Sequence, residues 1–449
     1  MAVEKRQGTL GGTMSTMTAA GDDSKQAIDD RFDRRSNFGR RGWSIILIEA
    51  ALLWISSGSV VHGLNVILPA LSQTYSLDYT ELLALATPAS WASILAGFVG
   101  AWICGIKGPK FLILFSLACG GIAFGFLGSA SSMAGFVTLF AIVCFFDSCF
   151  AYVGGPALVT NWFPRKKGLA FGWATMGQTF STATYVPYVA FCFATFGVQR
   201  GFWGITALMA VVFLVVWRFA ADKPEDFHCA PDNMPMTQAE IAHSRREQDQ
   251  QKSAFTVRQL LGMRDVWFMG LSFGGLYIVI VGLLSQFVPR LVAMGLPLET
   301  AILYMSVAAM LGVPGAYMWG WLSQRLGVKR CAMLYLAWYA VALALNIFEL
   351  NTVTMWISLA MIGEALGGAT NLSMSIVAEK FPRGAFVKAW GVVNPIQSIV
   401  RCCAFAVLAF GLSHFGGFAG AYSILLVIAL ISMILIWKTD TRPVTAGDN

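Results

Sequence analysis

The chain has 449 residues, 57% of them hydrophobic and only 12% charged, with a mean hydropathy of +0.65. Soluble domains carry about 25% charged residues, and the repeated apolar runs here reach the roughly 20 residues that cross a bilayer as a helix. A water-soluble fold is therefore excluded, and so is an outer-membrane barrel, whose strands alternate over about 10 residues. The net charge of +7 gathers beside the apolar spans, so it is a membrane-orientation signal rather than a nucleic-acid one. The nine cysteines contain no CxxC pair and fall mostly within apolar spans, as small fillers rather than metal ligands or disulfides. No metal or other cofactor is expected.

Residues 1–42 are polar, rich in Gly, Thr and Ser, and end in the basic run RFDRRSNFGRRG. They suggest a disordered cytoplasmic tail, with no cleaved leader because Trp43 opens a span too long for a signal peptide. Six apolar spans follow, at about 43–68, 82–104, 111–130, 136–161, 168–196 and 202–220. A polar segment intervenes, and six more spans lie at about 265–289, 300–323, 331–349, 353–378, 386–413 and 418–437. The expected domains are thus a six-helix bundle over 43–221, a cytoplasmic linker over 222–263, a second bundle over 264–438 and a tail over 439–449. Within the linker, Thr237 with Glu240 and Thr256 with Gln259 have capping-box spacing. A short helix after Thr256 is expected to lie along the membrane face and tie the halves together.

Charge placement sets the orientation. With both tails inside, the short outer loops hold only Arg200 and Arg290, while Arg165-Lys166-Lys167, Lys329-Arg330, Lys380 and Arg383 are all inside. That asymmetry predicts cytoplasmic termini in a plasma (inner) membrane.

The halves repeat at an offset of about 219 residues: GWATMGQT (172–179) aligns on GVVNPIQS (391–398), placing Gln178 on Gln397. Phe163-Pro164 matches Phe381-Pro382, and GIKGPK (105–110) matches QRLGVKR (324–330). Pro69 and Pro289 are expected to end the first span of each half. Two six-span halves of one topology form parallel repeats, an arrangement known among transporters. The expected fold is an all-α polytopic membrane protein with twelve transmembrane helices, built as two six-helix bundles related by pseudo-two-fold symmetry.

Gly320-Trp-Leu-Ser-Gln-Arg-Leu-Gly-Val-Lys-Arg330 resembles the loop signature of the major facilitator superfamily, with Gln324 where the signature has Asp; Gly105 stands at that position in the first half. The Asp-Lys-Pro-Glu-Asp run at 222–226 is similar to the family as well. Ser57-Gly58, Leu64 and Pro69, together with Asn161-Trp-Phe-Pro164 and Gly168-Leu-Ala170, resemble the oxalate/formate antiporter and monocarboxylate porter group. That resemblance implies a small carboxylate held by basic residues in the eighth and eleventh spans. Arg401 fits the eleventh-span position, but the eighth span has no Lys, Arg or His. One carboxylate on an otherwise apolar or hydroxylated body therefore fits better than a dianion.

Few ionisable groups lie deep in the spans. Arg401 is about fifteen residues from the start of its span, too deep to snorkel out, and a guanidinium there costs at least about 2.5–3.5 kcal/mol. Its planar fork suits a carboxylate. Gln397 lies one turn before it on the same face, and Gln178, its counterpart by repeat, is a candidate for the other wall. His62 and Asn65 in the first span and Tyr185 in the fifth are further substrate-binding candidates. Asp147 and Glu364, each midway along a fourth span, are candidates for proton coupling, Glu364 also as a competitor for Arg401; a non-titrating interhelical pair is the structural alternative. Glu49 is near enough to its helix start to reach inner water. Helix breaks are expected at Gly154-Gly155-Pro156 and Gly312-Val-Pro-Gly315.

No phosphate loop or activated nucleophile is present, so neither an ATP-driven pump nor an enzyme is expected. The expected function is secondary transport of a small organic anion, a monocarboxylate, by a monomer, coupled to protons or to a counter-anion. The rival is proton-driven export of a lipophilic drug or cation.

Overall fold

The computed structural model describes residues 35–251, 255–348 and 352–444. Most of the expected N-terminal tail, residues 1–34, lies outside the described residues, as do 445–449 of the C-terminal tail. All regular structure among the described residues is helical. The first half comprises α1 (Gly39–His62), α2 (Glu81–Lys107), α3 (Pro109–Leu127), α4 (Met133–Trp162), α5 (Lys167–Phe196) and α6 (Val198–Phe219). The second comprises α7 (Arg264–Ala293), α8 (Glu299–Leu326), α9 (Val328–Phe348), α10 (Val353–Ala365 with Gly368–Lys380), α11 (Phe386–His414) and α12 (Phe418–Lys438).

Ten of these are single helices long and apolar enough to span a bilayer, and α10 qualifies as a pair bent by 47°. The remaining one, α5, is diluted by Gln178, Thr179, Ser181, Thr182 and Thr184. Its position accounts for that polarity, because α5 packs along α8 of the other half and α1 of its own. The second seam between the halves is α2 against α11.

Local chemistry fixes the boundaries. Ser132 Oγ accepts the Gly135 N–H (3.2 Å) and starts α4. Both predicted capping boxes form: Thr256 with Gln259 opens Val257–Gly262, and the Thr237 N–H and hydroxyl both donate to Glu240 (2.7 and 2.8 Å). The Thr237 backbone bond, with the hydroxyl second, holds the Glu240 carboxyl below its usual range. Three connections turn on a left-handed residue, and each has a counterpart at the repeat offset. Ser76 pairs with Gly295, Gly108 with Gly327 and Gly197 with Gly416, all at positive φ, and 295 − 76, 327 − 108 and 416 − 197 each give 219. The repeat therefore extends to backbone handedness in the loops, which no helix pattern encodes.

Three expectations are corrected. Pro69 and Pro289 do not end their spans: Pro69 lies inside the helix Leu64–Tyr75 that prolongs α1, and Pro289 lies inside α7. The helix through Gly312 to Gly315 is unbroken despite Pro314, whereas Gly154 does close a π-helical segment, Cys149–Gly154. Arg290 is not in a loop but buried within α7, its Nε donating to Asn346 Oδ1 (3.3 Å) beneath the Phe418 ring.

The halves are tied at the basic end, the membrane face that carries Arg165, Lys167, Arg325 and Lys380. Lys167 pairs with Glu379 (2.7 Å) and also donates to the Ala378 carbonyl (3.0 Å). Gln324 donates to the Arg165 carbonyl (2.8 Å). Thus the residue that replaces the signature Asp still bridges the halves, through a neutral bond. The linker adds its own ties: Glu225 takes a bidentate pair from Arg383 (2.7 and 2.9 Å), and Asp232 accepts the Arg165 and Lys166 N–H groups (3.0 and 2.9 Å).

Candidate functional site

Six spans, α1, α2, α4, α7, α10 and α11, surround a cavity between the halves. It encloses about 90 Å³, several times the roughly 10–15 Å³ that a single water requires. Five of the six spans are interrupted beside it. The π-helical segment Ser57–His62 follows Ser56 in α1, and α2 breaks at Trp91 between the lining residues Ser90 and Ser93. Cys149–Gly154 is π-helical immediately after Asp147 and Ser148, α10 bends before Thr370, and α11 breaks at Cys403 just beyond Arg401. Irregular backbone at membrane depth is tolerated where it lines a polar cavity or is buried in protein, and π-helical turns concentrate at functional sites.

Arg401 occupies the last turn of Phe386–Cys402, where the partial negative charge of the helix C-terminus favours a cation. Its guanidinium carbon lies 5.7 Å from the Tyr277 ring centroid, a cation–π distance. The Tyr277 hydroxyl is fixed in turn by Thr370 (3.2 Å). Among the described residues no carboxylate makes an ion pair with Arg401 and no acceptor takes a hydrogen bond from it. Arg401 thus lines the cavity with its five N–H donors taken by no protein acceptor among the described residues.

Asn394, Gln397, Ser398 and Arg401 form one stripe of α11, at helical spacings of three, four and seven residues, and all line the cavity. Gln397 is satisfied within the protein: its Oε1 accepts Ser373 Oγ (2.8 Å) and its Nε2 donates to Asn394 Oδ1 (2.9 Å). That bond fixes the Asn394 amide so that its own nitrogen is left for the cavity. Opposite, in the first half, Asp147 is only 4% exposed. Its Oδ2 accepts Ser56 Oγ (2.6 Å), and its Oδ1 has no protein partner.

Of the residues expected from sequence, Arg401, Gln397 and Asp147 meet in this cavity. The others lie outside its lining. Gln178 is half-buried in α5, with its carbonyl accepting Ser181 Oγ (2.8 Å). His62 closes the π-helical segment half-buried, and Asn65 is exposed. Tyr185 is wholly buried; its hydroxyl pairs with Ser59 (2.6 Å) and its ring meets Trp54 edge-on. Glu364 stands at the elbow of α10 against Gly315, away from Arg401, and its carboxylate oxygens have no hydrogen-bond partner. The expected competition between Glu364 and the ligand for Arg401 finds no ion pair to support it; Glu364 packs against Gly315 of α8 instead. Glu49 does not reach water either: it is fully buried against Gly155 with both carboxylate oxygens unpartnered. Sequence reasoning missed Ser56, Tyr152, Tyr277, Thr370 and Asn394. Asn394 alone was within its reach, being seven residues before Arg401 on the same helical face.

The model of the Major Facilitator Superfamily matches residues 50–405 and 313–449. The hexose-6-phosphate:phosphate antiporter of Salmonella typhimurium is 24% identical over 377 residues, covering 78% of this chain and 80% of that protein. Among solved structures, the proton:xylose symporter XylE bound to 6-bromo-6-deoxy-D-glucose superposes with a TM-score of 0.70 at 13% identity, covering 88% of this chain and 95% of that one. The transporter FucP in its outward conformation gives 0.65 at 13% identity, covering 88% and 98%. The human organic anion transporter MFSD10 gives 0.66 at 12% identity, covering 88% and 99%. At these identities the structural likenesses speak to the fold.

Proposed function

Since the chain belongs to the major facilitator superfamily and is a secondary transporter, we propose that it carries a small organic anion by alternating access, with Arg401 as the anchor. One observation carries this: a guanidinium at membrane depth, facing the seam between the halves, with no protein carboxylate to neutralise it. Such a charge is held in place by Tyr277 and the helix end but completed only by an anion. A lipophilic cation would meet like charge there, which disfavours the exporter alternative. A monocarboxylate matches the single cation, in keeping with the resemblance to the oxalate/formate and monocarboxylate porter group. A phosphate monoester is the second reading, supported by the hexose-phosphate antiporter relative.

The ties between the halves lie at the basic end and at the level of the cavity. The described state is therefore one in which that end is closed, and transport opens it by rocking one half against the other. The charge asymmetry supports placing this end, with both tails, on the cytoplasmic face of the plasma membrane. Asp147, in the cavity wall, is the group through which protons couple, with exchange of a second anion as the other mode. Glu364 lies outside the cavity and would act only through the α8–α10 contact.

The test is uptake of radiolabelled lactate, and of radiolabelled glucose 6-phosphate against internal phosphate, by protein reconstituted in liposomes. Arg401→Gln and Arg401→Lys are each expected to abolish uptake of whichever anion the wild type carries, with unfolding temperature preserved. Uptake unchanged in Arg401→Gln would refute the anchor.

A further inference from the structure

The two walls of the cavity differ in hydrogen-bonding character. The α11 wall offers donors: the Arg401 guanidinium and the Asn394 amide nitrogen, whose carbonyl is already taken by Gln397. The facing wall offers an acceptor: Asp147, more than nine-tenths buried, with Ser56 spent on Oδ2 and nothing from the protein on Oδ1. Arg401 and Asp147 do not neutralise each other, since no ion pair joins them. A carboxylate oxygen in a low-dielectric wall is costly to cover with hydrocarbon. A plain alkyl carboxylate seated on Arg401 would do just that with its tail.

We infer that the ligand is two-ended: an organic anion whose charged group lies on Arg401 and Asn394, and which carries a hydroxyl or ammonium that donates to Asp147 across the seam. This rests on Arg401 as the anion anchor and adds the substrate class, a hydroxylated or aminated anion rather than an alkyl one. Because Arg401 belongs to the second half and Asp147 to the first, such a ligand links the two bodies that rock against each other. Ser56 is the positioning residue: by holding Oδ2 it leaves Oδ1 for the ligand. A site built to accept from a hydroxyl discriminates strongly against the analogue that lacks it, because the buried acceptor is then left unpaired.

Matched probes on the full-length purified protein test this, with apparent Kd taken from thermal stabilisation against concentration. The carboxylate series is butyrate, its 2-, 3- and 4-hydroxy derivatives and 4-aminobutyrate. The phosphate series is propyl phosphate and glycerol 3-phosphate. At least one hydroxylated or aminated member is expected to bind roughly ten- to a hundred-fold tighter than its alkyl parent. The hydroxy and amino arms identify which donor is used. Asp147→Asn is expected to shrink the preference and Asp147→Ala to remove it, the alkyl parent gaining affinity once the carboxylate its tail would cover is gone; an unchanged unfolding temperature without ligand certifies the fold. Ser56→Ala is expected to lower the preference, with the ligand-free unfolding temperature preserved. Equal binding of parent and derivatives, lost in Arg401→Gln, would overturn the two-ended ligand and leave the anion anchor standing. A preference that survives Asp147→Ala would also overturn it. Absence of any Arg401-dependent binding in both series would overturn anchor and inference together.

Discussion

Closure of the basic end depends on a backbone contact that tolerates no side chain. A Cβ at Gly320 of α8 would lie 2.5 Å from the Gly168 carbonyl oxygen, 2.6 Å from the Gly172 Cα and 2.8 Å from Asn371 Nδ2. Two of those partners belong to α5, in the other half, and both contacts are with backbone, which cannot rotate away. Gly320→Ala must therefore push α5 and α8 apart, at about 1–3 kcal/mol for overpacking of this kind. The contact crosses the seam at the closed basic end, so the proposed opening of that end relieves it and the penalty falls on the closed state. The closed-to-open ratio should then drop by about 5- to 150-fold. Spin labels at Lys107→Cys and Arg330→Cys, exposed positions on opposite halves, report the separation in a background whose native cysteines are replaced. Gly320→Ala is expected to move the distance distribution toward longer separations. Gly105→Ala is the control, since nothing lies within 4 Å of its added Cβ. An unaltered distribution in folded Gly320→Ala protein would refute the reasoning.

Other perturbations follow from the same geometry. Tyr277→Leu removes the ring under Arg401 and is expected to weaken anion binding by about 2- to 30-fold, whereas Tyr277→Phe keeps the ring and should retain most affinity; equilibrium binding distinguishes them. Gly155→Ala drives a methyl into the Glu49 carboxylate and should cost about 1–3 kcal/mol. Combining it with Glu49→Ala should recover most of that loss in thermal unfolding. Thr256→Ala dismantles a complete capping box at about 0.5–2 kcal/mol, seen as faster hydrogen exchange over Val257–Gly262 with little change in global unfolding temperature.

The twelve spans were legible because hydrophobic length is a strong and local signal. The repeat was legible too, from short matches such as GWATMGQT on GVVNPIQS. The position of Arg401 and Gln397 in the cavity lining was legible from depth and helical face, which need only counting along one helix. What sequence reasoning missed depends on where helices stop being α-helical. The π-helical turns after Ser56 and Ser148, and the bend before Thr370, re-aim side chains by part of a turn. Extrapolating a regular helix therefore misplaces residues on either side. Glu364 lies just before the 47° elbow of α10 and packs against Gly315 rather than in the cavity lining. Gln178 lies outside the cavity lining for a different reason. Repeat symmetry predicts its backbone position, yet not the partner helix, and α5 meets α8 over the length where α11 faces the cavity.

The contrast between Gln178 and Gln397 extends to the charges. At the offset of 219, Arg401 falls on Thr182 and Asp147 on Leu366, so neither charge has a mate in the other half (401 − 182 and 366 − 147). The loops that reverse the chain keep the repeat down to the sign of φ, whereas the two charges in the cavity lining have abandoned it. A symmetric frame suits alternating access, because each state resembles the other with the halves' roles exchanged. A symmetric site would not serve a two-ended ligand, which needs a cation on one wall and an acceptor on the other. Placing Arg401 and Asp147 on different bodies means that rocking changes the distance between them. The ligand that spans both is then the one that senses, and is released by, the change of state. An alkyl anion held by Arg401 alone would ride with the second half and leave Asp147 unengaged, so its binding should be nearly blind to the closure that Gly320→Ala disrupts. A hydroxylated anion should lose its advantage over the alkyl parent in that variant. Equal effects of Gly320→Ala on the affinities of butyrate and the preferred hydroxybutyrate would separate site asymmetry from transport and undo this link.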